Sequence, residues 1–133
     1  MLIGPLDQKR VFIYEEAMAL LPVVYRITEV AQKEVKELTN RLEALKHSRS
    51  SSLKSLEDQI NEVVERWHQK VLKLGIKPKG LWIADFDNGQ GYYCWKFPEN
   101  IISYWHGYND GFSGRTYIGP KKHDEEKTGF QEI

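Results

Sequence analysis

The sequence predicts an α+β fold in which a long antiparallel helical hairpin packs at its open end on a small antiparallel sheet of three or four strands. Apolar residues repeat at three- and four-residue steps over 24–45 and again over 53–74, as on one face of a helix. A polar, serine-rich segment, 47–52, separates the two repeats and predicts a turn. After residue 78 the pattern changes to short, aromatic-rich runs typical of strands.

The composition predicts one folded domain over residues 1–133. Apolar residues make up 41% of the chain and charged residues 29%, a balance typical of a protein with a packed core. Within it we expect a helical hairpin over 15–75, an aromatic-rich β unit over 78–118 and a loose polar tail over 119–133. Lysine and arginine together number 19, as do aspartate and glutamate. This neutral balance disfavours a nucleic-acid partner.

Segments that would place the protein in a membrane are missing from the sequence. The longest apolar stretches, 17–24 and 81–84, are far shorter than the roughly 20 residues of a membrane span, so no membrane partner is predicted. The first residues lack the basic start and long apolar segment of a secretory signal. The cytoplasm is therefore the expected compartment.

Disulfide, metal and cofactor chemistry are not predicted. Cys94 is the single cysteine, so it cannot form an internal disulfide or a multi-cysteine metal site. The histidines are widely separated and include no pair one helical turn apart; they are His47, His68, His106 and His123. We therefore expect no metal site and no cofactor.

The first helix is expected to begin near Glu15, after a short β-type run. Residues 11–14, Val-Phe-Ile-Tyr, are predicted either to pair as an edge strand or to form an anchoring extended segment. Glu15 and Glu16 would then lie in the first turn, where carboxylates favour the positive end of the helix dipole. Pro22 predicts a kink or a fresh helix start one turn later.

Extra apolar residues widen the stripe at the start of the first helix and at the end of the second: Leu20, Leu21, Val23, Val30, Val64 and Leu72. Antiparallel pairing brings these two wide regions together. A second layer is therefore predicted to cover the open end, while the polar tip points into water. Gly75 is placed to end the second helix.

The β unit is predicted to be a meander of three strands over 80–86, 91–97 and 101–106. The first two are joined by 87–90, Asp-Asn-Gly-Gln, which contains a strong hairpin signal. Eleven of the sixteen aromatic residues lie between Trp82 and Tyr117, more than one face of a small sheet can hold. Some are therefore expected to pack on the helices and others to lie on the far face.

Several short motifs occur together in this chain. In the β unit they are Cys94-Trp95, Tyr104-Trp105-His106 and the segment 111–115, Gly-Phe-Ser-Gly-Arg. Elsewhere they are Phe12, Glu15-Glu16-Ala17, Leu20-Leu21-Pro22, Gly80-Leu81 and Asp85-Phe86. In this combination, which covers most of the chain, the sequence resembles a small bacterial family catalogued as domain of unknown function 2203. No activity is established for that family, so the resemblance implies no catalytic residues.

Cys94 raises the question of nucleophilic chemistry. With His106 and a carboxylate, Asp85 or Asp110, it supplies the residue types of a thiol nucleophile, its base and an orienting group. Cys94 also lies inside a predicted strand between two aromatic residues, where a cysteine is more often a small buried hydrophobic residue. We favour this second interpretation and leave the catalytic residues unassigned.

A ligand site is predicted around His106, Arg115, Asp110 and Asp85, where the third strand meets the glycine-rich segment. A histidine that titrates near neutral pH and an arginine that grips a carboxylate or phosphate with two hydrogen bonds would form an anion-binding site. The alternative, which we favour, is that His106 and Arg115 fasten the glycine-rich segment to the sheet.

The tip half of the hairpin carries a narrow leucine seam among charged residues, a pattern seen in helices that form coiled coils or self-associate. The alternative is a seam that is satisfied within the hairpin. The function we expect first is a non-enzymatic protein-interaction or self-assembling domain that forms a dimer through this arm. The second is a small-molecule or anion-binding protein, or an enzyme, with its site around His106 and Arg115.

Overall fold

The computed structural model describes residues 10–47 and 52–119, which form two helices and five strands. They are α1 (Tyr14–Leu45), α2 (Ser52–Lys73), β1 (Lys77–Gly80), β2 (Ile83–Asp87), β3 (Gly91–Lys96), β4 (Tyr104–Gly107) and β5 (Thr116–Tyr117). Each strand pairs antiparallel with the next, in the order β1-β2-β3-β4-β5. The α+β prediction is confirmed, with five strands in place of three or four. Most of the predicted tip and tail lies outside the described residues.

Helix α1 begins where the sequence predicted and runs past its proline. The backbone N–H of Ile13 donates to Glu16 Oε1 over 3.0 Å, so the Glu16 side chain caps the start. Pro22 lies inside the continuous helix, and the alternative of a fresh start there is wrong. Leu21 and Val24, on either side of it, are 3% and 0% exposed. Their burial offsets the backbone hydrogen bond that proline cannot make.

The two helices pack along the predicted apolar stripes. Buried residues of α1 meet buried residues of α2, and the two sets are Ala17, Leu21, Val24, Thr28, Ala31 and Leu38, and Leu56, Val63, Trp67 and Val71. At the centre of the interface Trp67 Nε1 donates to Thr28 Oγ1 over 2.8 Å. Gly75, with φ +83°, turns the chain out of α2 toward the sheet. Neither helix of the described segments combines the length and hydropathy that crossing a membrane requires.

We expect Thr28→Val to lower the free energy of unfolding by about 1–3 kcal/mol, because it leaves the buried Trp67 N–H without an acceptor. Valine keeps the shape of threonine, so little packing is lost. Thr39→Val is the matched control, since Thr39 lies on the exposed side of the same helix. Urea unfolding of both variants measures the difference. Equal stabilities would show that the Thr28 hydroxyl contributes nothing.

The sheet covers the start of α1 and the end of α2, as the widened stripes predicted. Ring contacts join the layers: Tyr14 with Tyr93 at 5.6 Å, Tyr25 with Phe97 at 5.1 Å and Trp67 with Trp82 at 5.1 Å between centroids. Not every widening residue takes part. Val23, Val30 and Leu72 remain 45%, 46% and 38% exposed.

Residues 11–13 form the anchoring segment, not an edge strand. A single backbone bond of 2.7 Å runs from Phe12 N to Asp87 O, and no strand is assigned to this part of the described chain. The Phe12 ring is 1% exposed and meets the Phe86 ring edge-on at 5.3 Å. The chain entering α1 is therefore fixed to the sheet by the Phe12 ring and by one backbone hydrogen bond.

The strand bounds differ from the prediction in two places. The expected strand 80–86 is divided by a turn at Trp82, with φ +65°, and Lys77–Gly80 becomes the added strand β1. The strand expected from residue 101 begins at Tyr104. The carbonyl of Ile102 instead accepts a 2.8 Å hydrogen bond from Tyr14 Oη, so this segment is fastened to α1. The Asn-Gly hairpin is confirmed, with Gly89 at φ +92°.

Candidate functional site

The polar residues of the β unit share the face of the sheet that points away from the helices. Side chains alternate between faces along a strand, and the register places Cys94 opposite both Asp85 and Tyr104, and His106 opposite Tyr92. The residues that alternate with them along each strand lie on the opposite face and form part of the core, where Ala84, Phe86 and Trp95 are all 0% exposed. The segment between β4 and β5 passes over the polar face and encloses it.

Asp85 and His106 form a buried pair on this face. His106 Nε2 lies 3.0 Å from Asp85 Oδ2, and the two residues are only 4% and 1% exposed. On the other side of the ring, His106 Nδ1 lies 2.9 Å from the Gly107 carbonyl oxygen. A carbonyl can only accept, so Nδ1 carries a hydrogen. One further proton must then lie between Nε2 and Oδ2, since two lone pairs would otherwise face each other.

Asp85 is only partly satisfied by this contact. Its second oxygen, Oδ1, is buried and makes no hydrogen bond of ordinary length and angle among the described residues. The nearby Cys94 thiol is only a weak donor to this carboxylate. Burial raises the pKa of the Asp85 carboxyl above its ordinary value, while the nearby His106 works against that rise. A buried acceptor without a donor is costly, so this oxygen marks a place where a ligand could supply the missing interaction.

Cys94 lies beside the pair and is 0% exposed. Its Sγ, an Asp85 oxygen and a His106 ring nitrogen all lie within 4.8 Å of one another. Burial, reinforced by the neighbouring Asp85, raises the pKa of the Cys94 thiol to about 12. The structure thus brings together the residue types of a thiol nucleophile, its base and its orienting group. However, a thiol that stays protonated at neutral pH argues against nucleophilic chemistry.

A pocket of about 310 Å³ opens above the Asp85–His106 pair. Its lining combines three Tyr and Phe rings with five polar or charged side chains. The ten residues are Lys79, Ile83, Asp85, Tyr92, His106, Tyr108, Asn109, Asp110, Gly111 and Phe112. Tyr108 Oη donates to Asp87 Oδ1 over 2.7 Å, which holds one wall in place. The volume is at the small end of the range of about 300–1,000 Å³ for ligand pockets.

Arg115 does not line this pocket. Its guanidinium forms a two-pronged ion pair with Glu99, with N···O distances of 2.7 and 3.3 Å. It also lies over two rings, 3.9 Å from the Tyr104 centroid and 4.2 Å from that of Phe112. These contacts fasten the β4–β5 segment to the β3–β4 loop and to β4. The guanidinium is therefore committed to Glu99 and not to an anion in the pocket.

The other three predicted ligand-site residues lie at the pocket. Asp85 and His106 touch each other at its base, and Asp110 lies at the rim, where its Oδ2 accepts the Gly107 N–H over 3.2 Å. Sequence reasoning missed Lys79, whose Nζ lies 5.2 Å from the centroid of Tyr92. No sequence motif points to Lys79. Once the β1–β2 turn is known, its side chain is placed on the same face of the sheet as Asp85.

The leucine seam of the hairpin arm is enclosed between the two helices. Leu38 and Leu56 are each 6% exposed, and Val35, Leu42, Leu45 and Ile60 are partly buried against the core. Between residues 31 and 71 the described chain exposes none of its large apolar side chains. The seam is therefore satisfied within one hairpin, the alternative that we stated for it.

Comparison with known proteins gives a family and no function. The chain matches no curated protein and no solved structure. Residues 10–118 match the model of the family described as "Uncharacterized conserved protein (DUF2203)". That span contains both helices, all five strands and the pocket, and it confirms the resemblance seen in the sequence motifs. The chain belongs to this uncharacterised conserved family.

Proposed function

We propose that the protein binds a small polar molecule in the pocket on the far face of its sheet. The observation that carries the proposal is Asp85 Oδ1, a buried acceptor without a hydrogen bond among the described residues, at the base of a cavity of about 310 Å³. Native proteins satisfy nearly all buried polar atoms, and an exception calls for an explanation. A bound ligand that donates a hydrogen bond to Asp85 provides one.

The lining of the pocket indicates the chemistry of this ligand. Aromatic walls from Tyr92, Tyr108 and Phe112 suit a planar or apolar portion. At the rim, Lys79 and Asp110 carry opposite charges, and the Asp85–His106 pair with its shared proton is neutral as a unit. A neutral or zwitterionic molecule fits this balance better than a strongly charged anion. The small volume favours a compound of metabolite size.

A thermal-shift screen tests the proposal, because a ligand that binds only the native state raises its stability. At one hundred times its Kd, a ligand adds about 2.7 kcal/mol, which corresponds to a rise in Tm on the order of 5–10 °C for a domain of this size. The screen covers zwitterionic, neutral and anionic metabolites in separate sets. The strongest responses are expected from zwitterions and neutral molecules that carry an N–H or O–H donor.

The variant pair Asp85→Asn and Asp58→Asn shows whether a hit occupies the proposed site. Asp85→Asn keeps nearly the same shape but removes the carboxylate charge and replaces one of its two acceptor oxygens with an NH2 donor, so it should greatly reduce the shift. Asp58 lies on α2 and pairs with Lys54 at the surface, so Asp58→Asn should leave the shift unchanged. A ligand that stabilises both variants equally binds elsewhere and contradicts the proposal.

Two expectations from the sequence remain predictions. One is self-association through the helical arm, which sedimentation of the full chain at tens of micromolar tests directly. The other is a cytoplasmic location. The enclosed seam gives self-association no added support, so we place ligand binding first.

A further inference from the structure

We propose that Asp85, Cys94 and His106 form a binding site for a zinc-class divalent metal ion, with an open coordination position toward the pocket. This site rests on the proposed function in one respect, since the small molecule in the pocket would complete the coordination of the metal. The Asp85 oxygens that were assigned to that molecule are here assigned to the metal. The three side chains come from adjacent strands β2, β3 and β4, so a rigid sheet sets their spacing.

The observed distances between the three side chains are close to those of a metal-bound cluster. One candidate atom from each residue lies within 4.8 Å of the other two, and the closest measured pair, His106 Nε2 and Asp85 Oδ2, is 3.0 Å apart. Zinc bonds of about 2.0–2.3 Å in a tetrahedral site place ligand atoms roughly 3.3–3.8 Å from each other. Small side-chain rotations, with no movement of the strands, therefore bring all three onto one ion.

The histidine is already held in the form that binds metals. Nδ1–H donates to the Gly107 carbonyl over 2.9 Å, which is the second contact that metal-bound histidines usually make. This leaves Nε2 directed at Asp85, where one proton is now shared between nitrogen and oxygen. A cation in place of that proton would be bound by one lone pair from the nitrogen and one from the oxygen.

Charge balance also favours a divalent ion. A neutral imidazole, one carboxylate and one thiolate carry two negative charges, which a divalent cation cancels. The Arg115 guanidinium beside Cys94 is already balanced by Glu99. The three residues are 0–4% exposed, and such a buried site is stable only when its charges are compensated. Binding is balanced by the release of two protons, one from the Asp85–His106 contact and one from the Cys94 thiol.

The donor atoms select the metal. Nitrogen, oxygen and sulfur together suit zinc and its neighbours in the first transition row, whereas magnesium and calcium take oxygen ligands. The unpartnered Asp85 Oδ1 supplies a free acceptor in the same cluster. Asp85 and His106 both line the pocket, so a small molecule could reach the ion. Three protein ligands and one open position are typical of zinc sites that act on or bind a substrate.

Metal titration of the full chain tests the inference. Protein stripped with a chelator is titrated with Zn²⁺ and, separately, with Co²⁺. We expect one ion per chain, and the Co²⁺ form should show the near-ultraviolet charge-transfer band of a cobalt–thiolate bond. Cys94→Ser and Asp85→Asn should each weaken binding by roughly 100-fold or more, beyond the 10- to 100-fold typical of residues behind the ligands. His68→Ala, a change on α2 outside the three-residue cluster, should bind normally.

The native chain alone can overturn the inference, so no variant has to fold. Co²⁺ binding without a thiolate band, or no bound ion at micromolar Zn²⁺, would rule the site out. Retention of the ion in Cys94→Ser and Asp85→Asn with loss in His68→Ala would assign it to the surface. Ligand shifts measured on metal-free protein separate the two proposals. A ligand shift without metal binding would support the pocket function and refute the metal site. Metal binding without a ligand shift would support the metal site and refute the pocket function.

Discussion

Phe12→Ala should lower the free energy of unfolding by about 3–5 kcal/mol, the range for truncation of a buried aromatic side chain. The ring is 1% exposed, meets Phe86 edge-on at 5.3 Å and carries the Arg10 guanidinium 4.4 Å above its centroid. Alanine removes all of these contacts and leaves a cavity between the sheet and the start of α1. Urea unfolding with an unchanged m-value would measure the loss as a stability difference.

The neighbouring residue supplies the control for this prediction. Val11 is 52% exposed, so Val11→Ala should change stability by no more than about 0.5 kcal/mol. Neither substitution removes the backbone bond from Phe12 N to Asp87 O. The comparison therefore isolates the ring. Similar values for the two variants would mean that the anchoring segment contributes little to the fold.

Gly91→Ala is the second substitution for which we expect a large effect, a destabilisation of about 3 kcal/mol or more, at the upper end of the range for overpacking. A Cβ at Gly91 would overlap the carbonyl oxygen of His106 and the ring of Trp105. One of these is backbone of the paired strand, so a side-chain rotation cannot relieve the overlap. The strands β3 and β4 must separate.

Gly111→Ala is the matched control, because a Cβ there meets nothing within 4 Å and the backbone is extended. It should leave the free energy of unfolding nearly unchanged. Gly91→Ala has a further consequence for the site, since displacement of the His106 backbone moves the ring away from Asp85. Metal affinity should fall in Gly91→Ala even under conditions where it is folded. A stable Gly91→Ala protein with native metal affinity would contradict this account of the β3–β4 contact.

The sequence predicted those parts of the fold that depend on local periodicity. Apolar residues at three- and four-residue steps indicate a helix wherever it lies against a core, and α1 and α2 follow them. The Asn88-Gly89 turn was equally predictable, because φ of +92° at Gly89 suits glycine. Strand β1, Lys-Pro-Lys-Gly, was missed because it contains no β-branched or aromatic residue that would mark it as a strand.

The sequence predicted the residue types of the candidate site but not their arrangement. Its residue types, His106 with Asp85 and Asp110, were recognisable in the sequence, but a sequence does not state strand register. Arg115 illustrates the limit, because an arginine that binds a ligand and one that binds Glu99 look the same until the loop before β4 is placed. Lys79 was missed for the same reason.

The sequence by itself determined a helical hairpin, an aromatic β unit and membership of a conserved family. Only the tertiary structure decided that Asp85, Cys94 and His106, up to 21 positions apart in the sequence, come within 4.8 Å of one another under a pocket. The physical reason is that the burial of helix and strand residues follows the local spacing of apolar residues along the chain. The approach of three polar side chains depends instead on strand register, on the turn at Trp82 and on the segment that covers the far face of the sheet.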